Sequence, residues 1–414
     1  MTNAIADSTE NLHPERLKEP RLPWRDWVLL PMLSLLTLCL ILVLSERIAG
    51  RTYYSTGNVG RYCMFDDPLM GYRGIPNSVC TEKNPETPLI EYRFNSCGDR
   101  AGMECGPKPV GVYRIVLTGS STAMGYEVSV DRSFAARLPG ELSTLTRRKI
   151  EIYNEGLVKG SPQSISLPFN QLPASRPDLI LWVLTPLDIS SGLRQAVDQK
   201  PPDAPGIEAI SHLYPERLPE RLRAHIREMM ASGSISDEIF RLWKSHFISS
   251  VTEHFLYESQ SLYLKSFLKS SEATFLRVEP DTEWKERLRE SDIVARDVEE
   301  RAQSAGLPWA AVLVPDRAQA AMISMGKWPA GYDPYKLDSE LRSIIVSHGG
   351  TYIDILPGFR NIPNPEQNYY PVDGHPDAGG HRIIADLLAK ALTGGAIPEL
   401  KAVAQPQAIL QKGK

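Results

Sequence analysis

Short apolar runs alternate with amphipathic stretches from residue 112 onward. The runs at 113–117, 150–153, 179–184, 309–314 and 351–356 are mostly apolar, which is typical of strands buried in a parallel sheet. Between them, stretches such as 132–145 and 284–305 repeat their apolar positions with helical spacing. This alternation predicts a three-layer α/β/α fold, with one parallel sheet covered by helices on both faces.

The amino-terminal part of the chain has a different pattern. The run from Trp27 to Ser45 carries no charge and is long enough to cross the roughly 30 Å hydrocarbon core of a membrane. A cleavable signal peptide is the alternative, but the preceding segment is long and polar and no A-x-A site follows. We interpret residues 27–46 as a single-pass anchor in the inner (cell) membrane. Four Lys or Arg residues lie at positions 16–25 and two at positions 47–51, which places residues 1–26 in the cytoplasm and the rest outside it.

We expect residues 47–108 to form an irregular lead-in to the α/β domain, because they are rich in Gly, Pro and Asn and lack a long period. This segment contains four cysteines, Cys63, Cys80, Cys97 and Cys105. An even number of cysteines in an exported segment predicts two disulfides, and proximity favours Cys63–Cys80 and Cys97–Cys105 among the three possible pairings. A zinc site is the alternative, but no C-x-x-C pair or nearby histidine supports it.

The predicted catalytic domain spans residues 109–393 and is interrupted by a helical insertion at 189–280. The aromatic residues of this insertion either pack on the main domain or face the active site or the membrane. Residues 394–414 read as a loose tail. The net charge of −4 without a basic block argues against a nucleic-acid partner.

Four polar motifs follow or precede the predicted elements at one edge of the sheet. They are Gly119-Ser120-Ser121 after the first strand, Asn154-Glu155-Gly156 after the second, Thr185-Pro186-Leu187-Asp188 after the third, and Asp373-Gly374-His375 before the last helix. Sites in parallel sheets lie at the carboxyl ends of the strands, so these motifs should meet on one rim. A hydroxyl, an imidazole and a carboxylate together are what nucleophilic catalysis needs.

At these motifs the chain resembles the SGNH/GDSL hydrolase superfamily, over roughly residues 112–392. The segment Arg93-Phe94-Asn95-Ser96-Cys97-Gly98-Asp99-Arg100 is similar to one in the membrane-anchored bacterial branch related to polysaccharide O-acetylation proteins. The resemblance implies a flavodoxin-like fold and a serine hydrolase. Arg93 and Arg100 either pin the lead-in or bind an anionic glycan.

The resemblance also implies roles for individual residues. Ser121 takes the position of the nucleophile, and Ser120 replaces the usual aspartate; on chemistry alone Ser120 is the alternative nucleophile. His375 takes the position of the base and Asp373 that of the acid, two residues before it instead of three. The backbone N–H groups of Ser121 and Gly156 would bind the oxyanion.

The third motif departs from the family because Leu187 stands where an asparagine side chain normally donates to the oxyanion. Loss of one such donor typically costs about 2.7–4 kcal/mol of transition-state stabilisation. Thr185 or Gln163 would have to replace it, or the enzyme is slow, specialised or inactive. We expect Asp188 to stabilise its own loop and His381 to be structural.

The sequence thus predicts a membrane-anchored extracytoplasmic serine esterase that acts on O-acyl groups, notably acetyl, of a cell-surface glycan or on a small ester. One alternative is a polysaccharide O-acetyltransferase that uses the same Ser121, His375 and Asp373 with a membrane acyltransferase partner. Another is an inactive glycan-binding or scaffold protein. The histidines show no ligand spacing, so we expect no metal and no cofactor.

Overall fold

A computed structural model describes residues 23–53, 63–67, 71–83, 86–158, 175–190 and 253–403. The chain divides into two compact units, up to Ala49 and from Gly50 onward. Predictions for residues 1–22, for most of the insertion (191–252) and for Gln163 lie outside the described residues.

Helix α1 spans Trp24–Tyr53 and is longer than the predicted anchor. Its segment Trp24–Ser45, 22 residues, is long and apolar enough to cross a membrane, and none of it is buried within the structure. A signal sequence near the amino terminus has the same properties. The helix therefore agrees with the predicted apolar segment without deciding between anchor and signal.

The lead-in contains two antiparallel hairpins. Strands β1 (Met64–Asp67) and β2 (Gly71–Gly74) form one, and β3 (Val79–Glu82) and β4 (Ile90–Arg93) form the other. The prediction of an irregular segment is therefore wrong, because strands of four residues are too short to produce a readable alternation.

Both predicted disulfides, Cys63–Cys80 and Cys97–Cys105, are present. The lead-in also has a small core of its own. Its buried members are Cys63, Met64, Cys80, Ile90, Tyr92, Phe94 and Met124. Since Met124 belongs to the domain that follows, this core attaches the lead-in to the nucleophile end of the sheet.

Within the described ranges, the central sheet has five parallel strands in the order β6-β5-β7-β8-β9. They are β5 (Val112–Gly119), β6 (Lys149–Asn154), β7 (Leu179–Leu184), β8 (Trp309–Leu313) and β9 (Thr351–Ile353). Every residue of β5, β7 and β8 is buried, so both faces of the sheet are covered and the predicted α/β/α class is confirmed. The strand order reverses between β5 and β7, and ligands of open parallel sheets bind at such a switch point.

The helices that flank the sheet are α2 (Ser121–Met124), α3 (Phe134–Thr146), α4 (Pro186–Ser190), α5 (Gln260–Phe267), α6 (Thr282–Ala305), α7 (Arg317–Met325), α8 (Lys336–Ser347) and α9 (Ala378–Ala391). Helix α3 contacts α9 and β6, whereas α6 contacts α8. Helix α6 begins where the sequence predicts, because the Asp281 side chain accepts the Trp284 N–H at 2.8 Å. It ends at Gly306, which is in the left-handed region.

The segment after α9 is packed against the domain, contrary to the prediction of a loose tail from residue 394. Ile397 and Leu400 are buried, and the Val403 N–H donates to the Leu145 carbonyl at 3.0 Å. The prediction is wrong for residues up to 403, because two isolated apolar side chains in a single turn give no periodic signal. Residues 404–414 lie outside the described residues.

Candidate active site

The nucleophile turn directly follows β5. A side chain at Gly119 would lie 2.5 Å from the Val183 carbonyl oxygen and 2.6 Å from the Ala123 Cβ, so the close approach of β5 to β7 requires glycine. Ser120 occupies the N-cap of α2, and Ser121 is the first residue of that helix. The N–H of a first helical residue has no acceptor within the helix, so the Ser121 N–H is available to a ligand.

Ser121, His375 and Asp373 form one hydrogen-bonded chain. The Ser121 Oγ lies 2.7 Å from His375 Nε2, and His375 Nδ1 lies 2.5 Å from Asp373 Oδ1. The same Asp373 oxygen accepts the backbone N–H of His375 at 3.1 Å, and Gly374 between them has a φ of +86°. A spacing of two residues therefore suffices to align the carboxylate with the imidazole.

The surroundings of the Asp373 carboxyl favour its ionised form. Burial on its own would raise its pKa, but the hydrogen bond and charge of His375, with a further hydrogen bond from Glu127, lower the pKa to about 2. An ionised carboxylate at Nδ1 leaves Nε2 of a neutral imidazole free to accept the Ser121 proton.

Two residues beside the hydrogen-bonded Ser121, His375 and Asp373 were not singled out by the sequence analysis. Glu127 is buried, has a φ of +63° and contributes the hydrogen bond to Asp373. The Tyr126 ring meets the His375 ring edge-on at 5.4 Å. Neither has a local signal, because both act across more than 200 residues of sequence.

Ser120 and Asp188 form a second buried arrangement beside the nucleophile. The Thr185 N–H and hydroxyl donate to Asp188 Oδ2 at 2.7 and 2.9 Å, and the Ser120 hydroxyl donates to the same carboxyl. Burial raises the pKa of Asp188 to about 6, although these hydrogen bonds act to lower it. Asp188 thus joins the turns that follow β5 and β7, and the Ser120 hydroxyl is engaged by a carboxyl instead of by His375.

Two of the predicted oxyanion donors, Gly156 and Thr185, are engaged in hydrogen bonds within the described part of the protein. The Gly156 N–H donates to the Asn154 side chain at 3.0 Å, and a side chain at Gly156 would lie 2.4 Å from the Met124 N. Gly156 therefore packs against the backbone of α2, and its role as an oxyanion donor stays a prediction. The Thr185 hydroxyl is likewise directed at Asp188.

A cavity of about 390 Å³ opens beside Ser121 and His375. Leu187, a residue that is 61% exposed, lines it, as do Tyr257, Tyr263 and Phe267. These three aromatic residues come from the carboxyl end of the predicted insertion, so this part of it faces the site. The volume falls in the range of roughly 300–1,000 Å³ that is usual for small-molecule sites.

Other candidate residues have structural positions. His381 is buried, and its pKa is lowered to about 3 by burial; its Nδ1 accepts the Phe134 N–H at 3.2 Å. Arg100 is buried over the Tyr92 ring and donates to the Gly125 and Val128 carbonyls, so it pins the lead-in and is not open to a glycan.

We found no family model and no curated protein that matches this chain. Solved structures that are similar include that of TesA, with 9% identity and a TM-score of 0.35, covering 67% of this chain and 97% of that one. A member of the lipolytic G-D-S-L family from Veillonella parvula has 11% identity and a TM-score of 0.32, covering 68% and 98%. The psychrotrophic esterase EstA from Pseudoalteromonas sp. has 9% identity and a TM-score of 0.32, covering 68% and 97%. At similarity this low, function rests on the geometry of the site itself.

Proposed function

We propose that the protein is a serine hydrolase that cleaves O-acyl esters. The observation that supports this most is the unbroken chain from the Ser121 Oγ through His375 to Asp373, at 2.7 and 2.5 Å, at the edge of a cavity. These three hydrogen-bonded residues lie at the switch point of the parallel sheet, where ligand sites of such sheets form. Ser121 meets His375 and Asp373 although more than 250 positions of sequence separate it from them, and this convergence is hard to explain by packing alone.

The reaction follows from the geometry. The Ser121 Oγ attacks the ester carbonyl while its proton passes to His375 Nε2, and Asp373 stabilises the imidazolium through Nδ1–H. Collapse of the tetrahedral intermediate breaks the ester C–O bond, and His375 returns the proton to the leaving alkoxide. Water then attacks the acyl-enzyme with His375 again as base, which releases the acid and restores Ser121.

The oxyanion would be bound by the Ser121 N–H. Leu187 lines the cavity where an amide donor is expected and cannot donate, so we propose a depleted oxyanion hole and slow turnover. The same observation supports the alternative of an inactive glycan-binding protein. A measurement of ester hydrolysis, rather than of glycan binding, distinguishes a slow hydrolase from an inactive protein.

We propose an O-acylated, notably O-acetylated, cell-surface glycan as the substrate. The cavity exceeds an acetyl group in size and has aromatic walls at Tyr257, Tyr263 and Phe267, which suits a ring that carries the ester. The same space supports an O-acetyltransferase, in which a sugar hydroxyl replaces water in the second step. That activity would require an acyl donor, such as a membrane acyltransferase partner.

Hydrolysis of an acetyl ester by the full-length protein in detergent micelles, with and without a glycan acceptor, tests these proposals. Release of acetate that is independent of acceptor supports the esterase. Acetyl transfer to the glycan in preference to water supports the transferase. No turnover under either condition, together with retained glycan binding, supports the inactive protein.

We also propose that α1 is an uncleaved anchor that leaves the α/β domain outside the cytoplasm. The two disulfides of the lead-in support an oxidising compartment. A reporter fused after Lys414 should be active only outside the cytoplasm and should remain in the membrane fraction. Release of a shortened protein into the soluble fraction would instead identify a cleaved signal sequence.

A further inference from the structure

Glu86 holds the backbone of the loop that carries Asp373. It lies between β3 and β4 in the lead-in, and its side chain is only 7% exposed. Both of its carboxylate oxygens lie 3.1 Å from the Val372 N, and Oε2 accepts the Asp373 N–H at 2.9 Å. Its other oxygen, Oε1, lies 2.6 Å from His254 Nδ1. One buried carboxylate therefore joins three segments that are far apart in sequence.

These contacts act on the residue that orients the base. The backbone N–H of Asp373 is two bonds from the Cβ that carries its carboxylate, so movement of this peptide moves the carboxylate at His375 Nδ1. A displacement of about 1 Å in such a group can cost roughly 10²-fold in rate. Hydrogen bonds to an ionised acceptor are also stronger than neutral ones, which suits a holding role.

A second residue, Arg317, connects the loop that carries Asp373 to the carboxyl end of the insertion. Arg317 is buried over the Tyr263 ring, and its Nη1 donates to the Pro371 carbonyl at 2.7 Å while Nη2 donates to the Tyr257 carbonyl. The Pro371–Asp373 loop is therefore linked to residues 254–257 through Glu86 and through Arg317. Residues 254–257 belong to the carboxyl end of the insertion predicted from the sequence.

We propose that Glu86 is a positioning residue that holds Asp373 and His375 in line with Ser121, and that His254 joins this support to the insertion. The proposal rests on the proposed hydrolase function. Glu86 touches neither the substrate nor the reacting atoms, so its removal should slow the chemical step and leave substrate binding nearly unchanged. A residue that merely attaches the lead-in would instead affect stability.

The test compares Glu86→Ala, Glu86→Gln and His254→Ala with Glu91→Gln in the full-length protein in detergent micelles. Glu91 is a matched control, because it lies on β4 of the same hairpin and its exposed side chain pairs, among the described residues, with Arg93 alone, at 3.0 Å. Three quantities are measured: kcat and KM on an acetyl ester, the rate of labelling by a fluorophosphonate, and hydrogen exchange of peptides covering residues 371–375.

We expect Glu86→Ala to lower kcat and the labelling rate about 10–100-fold with KM within about twofold, and to speed exchange at 371–375 about tenfold or more. Glu86→Gln keeps one acceptor oxygen, so its kcat, labelling rate and exchange rate should lie between those of Glu86→Ala and those of the unsubstituted protein. This variant also provides the test if Glu86→Ala does not fold. His254→Ala should have a smaller effect in the same direction, and Glu91→Gln none.

Unchanged kcat and labelling in Glu86→Gln and Glu86→Ala would overturn the proposal, as would unchanged exchange at 371–375. A loss confined to thermal stability would also overturn it. Failure of the unsubstituted protein to turn over ester or to react with the probe would overturn the hydrolase function instead, while hydrogen exchange would still decide whether Glu86 holds the loop.

Discussion

The nucleophile turn and the acid–base loop meet at 2.7 Å but are supported in opposite ways. Ser120 and Ser121 are buried and follow directly from β5, and Ser120 is held by Asp188 on α4, the helix that follows the neighbouring strand β7. Residues 371–374 are more exposed, and their backbone is held by side chains of the lead-in and of α7. The position of the nucleophile thus depends on the sheet, whereas the position of the base depends on peripheral segments.

The largest effect should come from removing the base. His375→Gln should lower kcat about 10⁴-fold, because no group then accepts the Ser121 proton. His348→Gln is the control, since that histidine pairs with Glu299 and Asp292 away from the cavity and should leave kcat unchanged. A larger loss in His348→Gln than in His375→Gln would reject the assignment of the base.

Leu187 tests the nucleophile side of the comparison. If the oxyanion hole lacks a donor there, Leu187→Asn should raise kcat, by about 10²-fold at most, because a donor gained in the transition state acts on kcat rather than on KM. The measurement is kcat on one acetyl ester. A flat kcat would mean that another group already fills the role, and a fall would identify Leu187 as a residue that packs against the substrate.

Asp188 should make the support of the nucleophile turn depend on pH. Its pKa is raised from 3.8 in the unfolded chain to about 6 in the folded protein, so its contribution to stability is present below pH 4 and is lost as the pH rises through 6. Between pH 4.5 and 7.5 this loss is about 2 kcal/mol of unfolding free energy.

Asp188→Asn keeps an acceptor oxygen but cannot ionise. Its unfolding free energy, measured by urea unfolding in detergent micelles, should therefore decline by about 2 kcal/mol less between pH 4.5 and 7.5 than that of the unsubstituted protein. Burial also raises the pKa values of Asp316, to about 7, and of Glu155, to about 8, so part of the decline should persist. An equal decline in both proteins would contradict the burial of a proton at Asp188.

The two regions also differ in how far the sequence predicts them. The strand β7 is a continuous apolar run and β5 is mostly apolar, and the serine turn follows β5, so the pattern alone places Ser121 at the sheet edge. The disulfide pairing follows from proximity because each pair closes a short segment, of 17 and 8 residues. In these cases the information is local.

The site residues that the sequence analysis missed depend on contacts that are not local. Glu86 and Glu127 look like ordinary surface acids, yet they contact Asp373 from 287 and 246 positions away. No pattern within a window of the chain contains that information.

The most direct test of a hydrolase built on Ser121 is labelling by a fluorophosphonate probe. Attack by the Ser121 Oγ would form a P–O bond, release fluoride and pass the proton to His375. The account predicts labelling of the full-length protein in detergent micelles, its loss in Ser121→Ala and its retention in Ser120→Ala, since the Ser120 hydroxyl is directed at Asp188. Equal labelling of Ser121→Ala and the unsubstituted protein, or no labelling of either, would contradict it.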